Sequence, residues 1–288
     1  MELIDLHTHT TASDGSLTPS QLVAAAKEAG LKAVAITDHD NISGLEEALA
    51  AGAELGLEVI PGVEISVEGE QKGGIHVVGL FLDHRRAALG EGLERLQQAR
   101  AQRNPQIAAR LQELGMDITM EQVLQYAGRG QVGRPHFAQA LIEGGYVQNR
   151  QEAFGRFLAA DKPAYVPKFR FSPPEALSLL RGAGAVPILA HPGLLNLPWA
   201  ELEALLRQLI GQGLEGLEAY YSEHDQATTQ RLVSLAARLG LVVSGGSDFH
   251  GLPKPDISLG RGKGDMRIPY SLLTALKQRA AKVRAEAG

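Results

Sequence analysis

Two histidines two residues apart, His7 and His9, end the apolar alternation Met1-Glu2-Leu3-Ile4-Asp5-Leu6 that opens the chain. In an extended strand, side chains at i and i+2 leave the same face, so both imidazoles reach one ion beyond the strand end. A bare His-x-His is common and weak by itself. Here it has company, because ligand-type residues recur at the ends of later apolar runs: Thr37-Asp38-His39-Asp40, Pro61-Gly62-Val63-Glu64, Gly74-Ile75-His76, Leu189-Ala190-His191-Pro192 and Gly246-Ser247-Asp248-Phe249-His250. The chain has no cysteine, so any metal is held by nitrogen and oxygen. Mixed imidazole and carboxylate ligation suits Mn²⁺, Fe²⁺ or Zn²⁺ better than Mg²⁺ or Ca²⁺, which prefer all-oxygen shells. A cluster of such ions makes hydroxide available near neutral pH and stabilises an in-line displacement, with no side-chain nucleophile required.

Positioning these residues calls for strands alternating with helices. Leu3 to Leu6, Ala33 to Thr37, Glu58 to Val67, Ile75 to Leu82, Ala185 to Ala190, Gly216 to Tyr220 and Leu241 to Ser244 read as seven strands. Helices are expected at Thr18 to Gly30, Ser43 to Gly56, Pro174 to Gly182, Trp199 to Gly213 and Gln226 to Gly240. The alternation argues for a mainly parallel α/β fold, and seven such strands can close as a barrel with its site at their carboxyl ends. His76 is the exception, standing at a strand start. Too few residues separate Glu64 from Ile75 for a helical crossover, so a hairpin is expected, with a turn favoured by Gly69, Gly73 and Gly74. A register centred near Glu70 would set Glu64 directly opposite His76, their Cα atoms about 5 Å apart.

Between Arg85 and Ser172 the rhythm turns helical, with segments at Leu89 to Gly115, Met120 to Gly128, Pro135 to Gly144 and Gln151 to Ala160, then the connector Lys162 to Pro167. The reading is a barrel of residues 1–84 and 173–288 with a mainly helical insertion, 85–172, capping the cleft. The insertion holds 13 Lys and Arg against 8 Asp and Glu, a net of +5; the whole chain is −5, so the remainder carries −10. A cationic cap over an anionic metal cleft suits an anionic substrate. Charged helix faces that are merely solvated are the plainer alternative.

At 288 residues, 44% hydrophobic and 21% charged, the composition suits a soluble globular protein. No stretch has the roughly 18 apolar residues of a membrane span, and Glu2 and Asp5 stand where a signal peptide would be basic and then apolar. No membrane partner and a cytoplasmic location are expected. An acidic chain without a long basic, aromatic-interleaved surface argues against duplex nucleic acid while allowing a short single strand.

His7-Thr8-His9, Ser13-Asp14-Gly15, Thr37-Asp38-His39-Asp40, Gly62-Val63-Glu64, His76, Ala190-His191-Pro192 and Ser247-Asp248-Phe249-His250 together resemble the ordered motifs of the PHP (polymerase and histidinol phosphatase) family. The resemblance implies a distorted seven-stranded (β/α)7 barrel and a trinuclear centre, most often of Mn²⁺. Carried over by residue, it implies that His7, His9, Glu64 and Asp248 hold one ion; bridging Glu64 with His76 and His191 a second; Asp14, His39 and His250 a third. Many members carry histidine where Asp14 stands. The Ser-Asp-Gly version with a long insertion is similar to the branch of nucleoside 3′,5′-bisphosphate phosphatases and 5′-to-3′ exoribonucleases of the RNase AM kind, which makes histidinol phosphatase activity the weaker expectation.

The expected activity is metal-dependent hydrolysis of nucleoside 3′,5′-bisphosphates. Alternatives are a 5′-to-3′ exoribonuclease on short 5′-phosphorylated RNA, a phosphatase of other small molecules, and a non-catalytic metal-binding module. Asp5 and Asp38 are candidates to orient ligands from behind. In the resembling branch the Arg134-Pro135-His136 motif lines the substrate cleft, so Arg134 and His136 are candidate phosphate contacts. Tyr220 to His224 follows the sixth strand, making Ser222 a candidate contact and His224 a candidate both for contact and for protonating the leaving oxygen. Lys168, Arg170, Arg261 and Lys263 are further phosphate candidates, and His84 is read as a surface residue.

Overall fold

A computed structural model describes residues 2–70, 74–127 and 130–287. Seven strands follow one another in space as in sequence: β1 (Ile4–Asp5), β2 (Ala33–Ile36), β3 (Glu58–Val67), β4 (Ile75–Leu80), β5 (Val186–Leu189), β6 (Gly216–Tyr221) and β7 (Val242–Gly246). β1 to β3 pair in parallel, as do β5 to β7, while β4 is antiparallel to both its neighbours. The two edges meet through backbone bonds just beyond the short β1: Leu6 N–H to Gly245 O at 3.1 Å, Asp248 N–H to His7 O at 2.8 Å and His9 N–H to Phe249 O at 2.9 Å. The sheet is therefore a nearly closed barrel. Two of these three bonds come from the same residues that carry the first and last histidine motifs.

Helices α1 (Pro19–Glu28) and α2 (Leu45–Leu55) cover the first strands. Thr18 caps α1, its hydroxyl accepting from Gln21 N–H, and Gly56 in left-handed conformation ends α2. Next come α3 (Ala87–Glu113), α4 (Met120–Ala127), α5 (Arg134–Glu143) and α6 (Arg150–Ala153), which runs on into a π-helical turn, Phe154–Leu158. The sequence-based reading of the second of these ended at Gly128, which lies outside the described residues. Around the rest of the barrel stand α7 (Pro173–Gly182), α8 (Trp199–Gly211) and α9 (Gln226–Leu239).

A further helix, α10 (Ser271–Ala287), is absent from the sequence-based reading. Its Leu273, Leu276 and Ala280 join Ile4, Leu6, Ala33, Ile60, Leu80 and Ile188 in one buried cluster. Large apolar side chains so buried each stabilise by about 1.5–3 kcal/mol. A separate cluster that includes Ile107, Leu111, Val123, Phe137, Leu141 and Leu158 forms among α3 to α6. None of the helices is long and apolar enough to cross a membrane, among the described residues.

The β3–β4 hairpin forms as the short connection requires, but its register corrects the expectation. His76 lies opposite Ser66, and Glu64 opposite Val78. Gly74 has φ +81 with the position of an added Cβ only 2.2 Å from Val67 O, so the chain turns there on a residue that must be glycine. Gly73, also expected in the turn, lies outside the described residues. The slip of two residues keeps every side chain on its face, and Glu64 still reaches His76 as a diagonal neighbour.

Candidate metal centre and anion cleft

His7 and His9 leave the end of β1, His39 follows β2, His191 follows β5, and Asp248 and His250 follow β7. Glu64 lies inside β3, yet a parallel bridge to His39 sets it level with that rim, and antiparallel β4 brings the start of its strand, His76, to the same rim. Glu64 is the hub. Its Oε2 lies 3.3 Å from both His7 Nε2 and His9 Nε2 and 2.9 Å from His39 Nδ1; its Oε1 lies 2.9 Å from His76 Nδ1 and 2.9 Å from His191 Nε2. Asp248 Oδ1 is 3.2 Å from His9 Nε2, and Asp14 Oδ1 is 3.3 Å from His250 Nε2 and 3.9 Å from His39 Nε2.

Three overlapping sets have donor atoms close enough to share an ion: His9, Asp14, His39 and His250; His7, His9 and Asp248; His39, Glu64 and His76. All nine residues expected as ligands thus meet at one rim, though His9 and His39 each fall in two sets, and His191 joins through Glu64 alone. The donor set passes a physical test. His7 Nε2, His9 Nε2, His39 Nδ1, Asp14 Oδ1 and Glu64 Oε2 are buried without a hydrogen-bond partner, although such groups are costly to leave unpaired. Divalent cations satisfy a convergent array of that kind.

The charges lean the same way. Burial acts to raise the pKa of Glu64, but His39, His76 and His7 outweigh it and hold the carboxyl well below its usual range. Asp14 is lowered in the same manner by His250 and His39. Burial works against protonation of His9, yet Asp248 and Glu64 lift its pKa to about 9. For His76 and His250 burial prevails and lowers each to about 4, leaving neutral imidazoles that can donate to an ion.

Several supporting residues escaped the sequence reading. Glu218 on β6 faces His7 Nδ1 at 2.9 Å. Tyr221 donates its hydroxyl to Asp248 Oδ2 at 2.9 Å, and Lys254 Nζ lies 2.6 Å from the same oxygen. A charged residue inside an apolar strand, Gly216-Leu217-Glu218-Ala219, was the available signal for Glu218. Asp38 lies one hydroxyl away from a candidate ligand: Ser13 Oγ donates to it at 2.5 Å while lying 3.5 Å from His9 Nδ1. Asp5 accepts from Ser247 N–H, Ser247 Oγ and Gly260 N–H, which fixes the loop before Asp248, and it also accepts the backbone N–H of His7 at 3.4 Å while touching no ligand ring.

One cleft of about 250 Å³ joins this rim to the helical segment, with Asp14, His39, Glu64 and His76 on one side and Arg100, Arg103, Arg134, Arg150, Lys168 and Arg170 on the other. Arg100 and Lys168 share the buried Asp40 carboxylate. The others bond neutral groups: Arg103 to Asn104 Oδ1, Arg134 to Leu158 O and Arg150 to Pro253 O. Arg170 Nε has no partner. Among the described residues none of these four has a carboxylate within ion-pair distance. Burial, with repulsion from neighbouring guanidiniums, pushes Arg103 down to about 9 and Arg134 to about 10, so both remain charged at neutral pH.

Other expected contacts lie elsewhere. His136 is buried at the start of α5, where Nδ1 accepts Gly133 N–H at 2.9 Å; it serves the helix start and does not line the cleft. Ser222 spends its hydroxyl on Ser247 O at 2.6 Å. His224 donates from Nδ1 to Ala219 O and accepts Gly193 N–H at Nε2, so both ring nitrogens are engaged away from the cleft. The expectation that His224 protonates a leaving oxygen is corrected by those bonds. Arg261 is exposed and Lys263 pairs with Glu223 at 3.6 Å, both off the cleft, and His84 pairs with exposed Glu46.

Comparison with known proteins agrees with this architecture. The family model described as PHP domain matches residues 5–151. A 3′,5′-nucleoside bisphosphate phosphatase of Chromobacterium violaceum is 34% identical over 87% of this chain and 88% of its own length. The 5′-3′ exoribonuclease Rnm of Escherichia coli is 37% identical over 90% of this chain and 88% of its own. A Bifidobacterium adolescentis protein, proposed to be a metal-dependent phosphoesterase, superposes with a TM-score of 0.86 at 33% identity over 96% of each chain. Alike to such proteins over nearly its whole length, the chain belongs to the PHP family of metal-dependent phosphoesterases.

Proposed function

We propose that the protein hydrolyses nucleoside 3′,5′-bisphosphates with three divalent ions, most readily Mn²⁺, with Fe²⁺ or Zn²⁺ as substitutes. His7, His9, Glu64 and Asp248 would hold one, Glu64, His76 and His191 a second, and Asp14, His39 and His250 a third. When bound, such ions supply an activated water and offset charge developing on the attacked phosphoryl group. Tyr221 and Lys254 engage Asp248 Oδ2, which leaves Oδ1 turned to the histidines. Residues 85–172 act as a cap whose arginines grip the second phosphate.

The observation that carries this reading is the set of four arginines, without carboxylate partners among the described residues, facing a carboxylate and imidazole rim across one cleft. Guanidiniums shielded from water call for an anion, and a planar fork suits a phosphate. Substrates with two spaced phosphoryl groups satisfy both walls at once. We place the reaction in the cytoplasm, where such nucleotides occur, and do not assign duplex nucleic acid or membrane as a partner.

A second reading is 5′-to-3′ cleavage of short 5′-phosphorylated RNA. It is favoured by two grooves on either side of His224, which share Tyr221 and Leu194 with the cleft and give a strand room to continue. The test is elemental analysis of the Mn²⁺-reconstituted protein alongside phosphate release from adenosine 3′,5′-bisphosphate. Close to three ions per chain and chelator-sensitive release are expected; fewer than two ions, or no release from the loaded protein, would contradict the reading.

A further inference from the structure

Glu218 sits 2% exposed in β6, and its two oxygens serve two different parts of the rim. Oε1 lies 2.9 Å from His7 Nδ1, and Oε2 accepts the backbone N–H of His191 at 2.6 Å. A register shift between Glu218 and Tyr220 makes this geometry compatible with its neighbour. Residues three apart in a regular strand face opposite sides, yet here both Glu218 and Tyr221 turn to the site, because the irregularity re-aims one of them.

His191 adopts φ +32 and ψ +56, a left-handed conformation rare for a non-glycine residue and disfavoured before a proline such as Pro192. Such a conformation persists only when its surroundings hold it. The short bond to Glu218 does so, and it aims His191 Nε2 at Glu64. For His7, an acceptor at Nδ1 fixes the proton there and leaves the Nε2 lone pair for an ion.

We infer that Glu218 is a positioning residue that couples two of the proposed centres, orienting His7 of the first and His191 of the second, while the Asp14, His39 and His250 centre does not depend on it. This rests on the reading that ions fill these centres. A carboxylate is required because two donors converge on it. A glutamine presents one acceptor and one NH₂, so it can accept from His7 or from His191 but not from both, and its NH₂ opposes whichever donor remains.

The test compares wild type with Glu218→Gln, each reconstituted with Mn²⁺, dialysed against graded EDTA and analysed for bound metal, with phosphate release from adenosine 3′,5′-bisphosphate measured on the same samples. The variant is expected to lose two ions together at an EDTA concentration roughly 10–100-fold lower than wild type, while one ion stays. Circular dichroism checks that it folds, and Glu218→Asp, too short to reach both partners, replaces it if it does not. A variant that holds its ions like wild type, or that sheds one or all three, would overturn the role of Glu218 and leave the reaction standing. A wild type that holds three ions but releases no phosphate would overturn the reaction and leave Glu218 standing. A wild type that holds none would overturn both.

Discussion

Lys168 Nζ lies 3.0 Å from the carboxylate of Asp40, a residue 128 positions away, and the two meet at the seam between the barrel rim and the helical segment. Asp40 is buried and left-handed at φ +52; its N–H reaches Glu64 O at 2.9 Å, and its carbonyl accepts Gln97 Nε2 at 2.8 Å. Arg100 shares its carboxylate. Removing the shared anion would leave the Arg100 guanidinium without its partner and favour the neutral form of Lys168, and breaking a buried pair in this way typically costs about 3–5 kcal/mol. Asp40→Asn should therefore lower the urea midpoint with little change in slope. An unchanged midpoint would show that the seam does not depend on this pair.

The same pair predicts a pH dependence. Burial pushes Lys168 down to about 7 from its ordinary 10.5, with Asp40 pulling the other way. Burial acts to raise Asp40, but Lys168 and Arg100 hold it below the carboxylate range, so it stays ionised at neutral and alkaline pH. Below about 7 the lysine is protonated in both folded and unfolded states, and the cost of burying its charge is fully present. Between about 7 and 10.5 the unfolded chain holds more protons, so the contribution of Lys168 to stability rises with pH. Measured against Lys168→Met, wild type should gain stability from pH 7 to 10; a constant difference would contradict the assignment.

Glu64→Ala should be the most damaging single change at the rim, because both carboxylate oxygens face candidate ligands. Losing a metal's several kcal/mol of transition-state stabilisation lowers kcat by about 100-fold or more. Elemental analysis should show fewer ions in the same sample. Full occupancy with near-normal turnover would refute the placing of Glu64 as the hub.

Arg134 is held in place by the Leu158 carbonyl and by the rings of Phe154 and Tyr165, so its loss removes a fixed contact. A hydrogen bond to a charged group contributes about 1.5–3 kcal/mol. Arg134→Ala should lower kcat/KM for adenosine 3′,5′-bisphosphate on the order of 10- to 150-fold. Adenosine 5′-monophosphate should be affected far less. Equal losses on both substrates would place Arg134 outside recognition of the second phosphate.

Strand order and eight of the nine rim residues were legible because each of these ligand-type residues ends, or in β4 begins, an apolar run, whereas Asp14 stands in the Ser13-Asp14-Gly15 turn and was indicated by the family resemblance alone. Register was harder: a slip of two preserves which face each residue occupies, so the alternation that predicts Glu64 near His76 does not distinguish a direct from a diagonal neighbour. α10 was missed although Leu273, Leu276, Ala280 and Val283 follow a helical spacing, since charged residues lie among them. His224 and His136 look like reagents in sequence and serve as hydrogen-bond anchors in the fold. Glu218 stood out only as a charge inside an apolar strand, and its partner His7, like the Lys168 that meets Asp40, lies far along the chain, where no local pattern reveals the pairing.

The central claim is that one wall of the cleft acts on a phosphoryl group while the other selects a second one. The ratio of kcat/KM for adenosine 3′,5′-bisphosphate to that for histidinol phosphate, measured on the Mn²⁺-reconstituted protein, tests it most directly. One charged hydrogen bond to the second phosphate is enough for a preference on the order of 10-fold or more. The account predicts a ratio at least that large in favour of the bisphosphate, and a ratio at or below unity would contradict it.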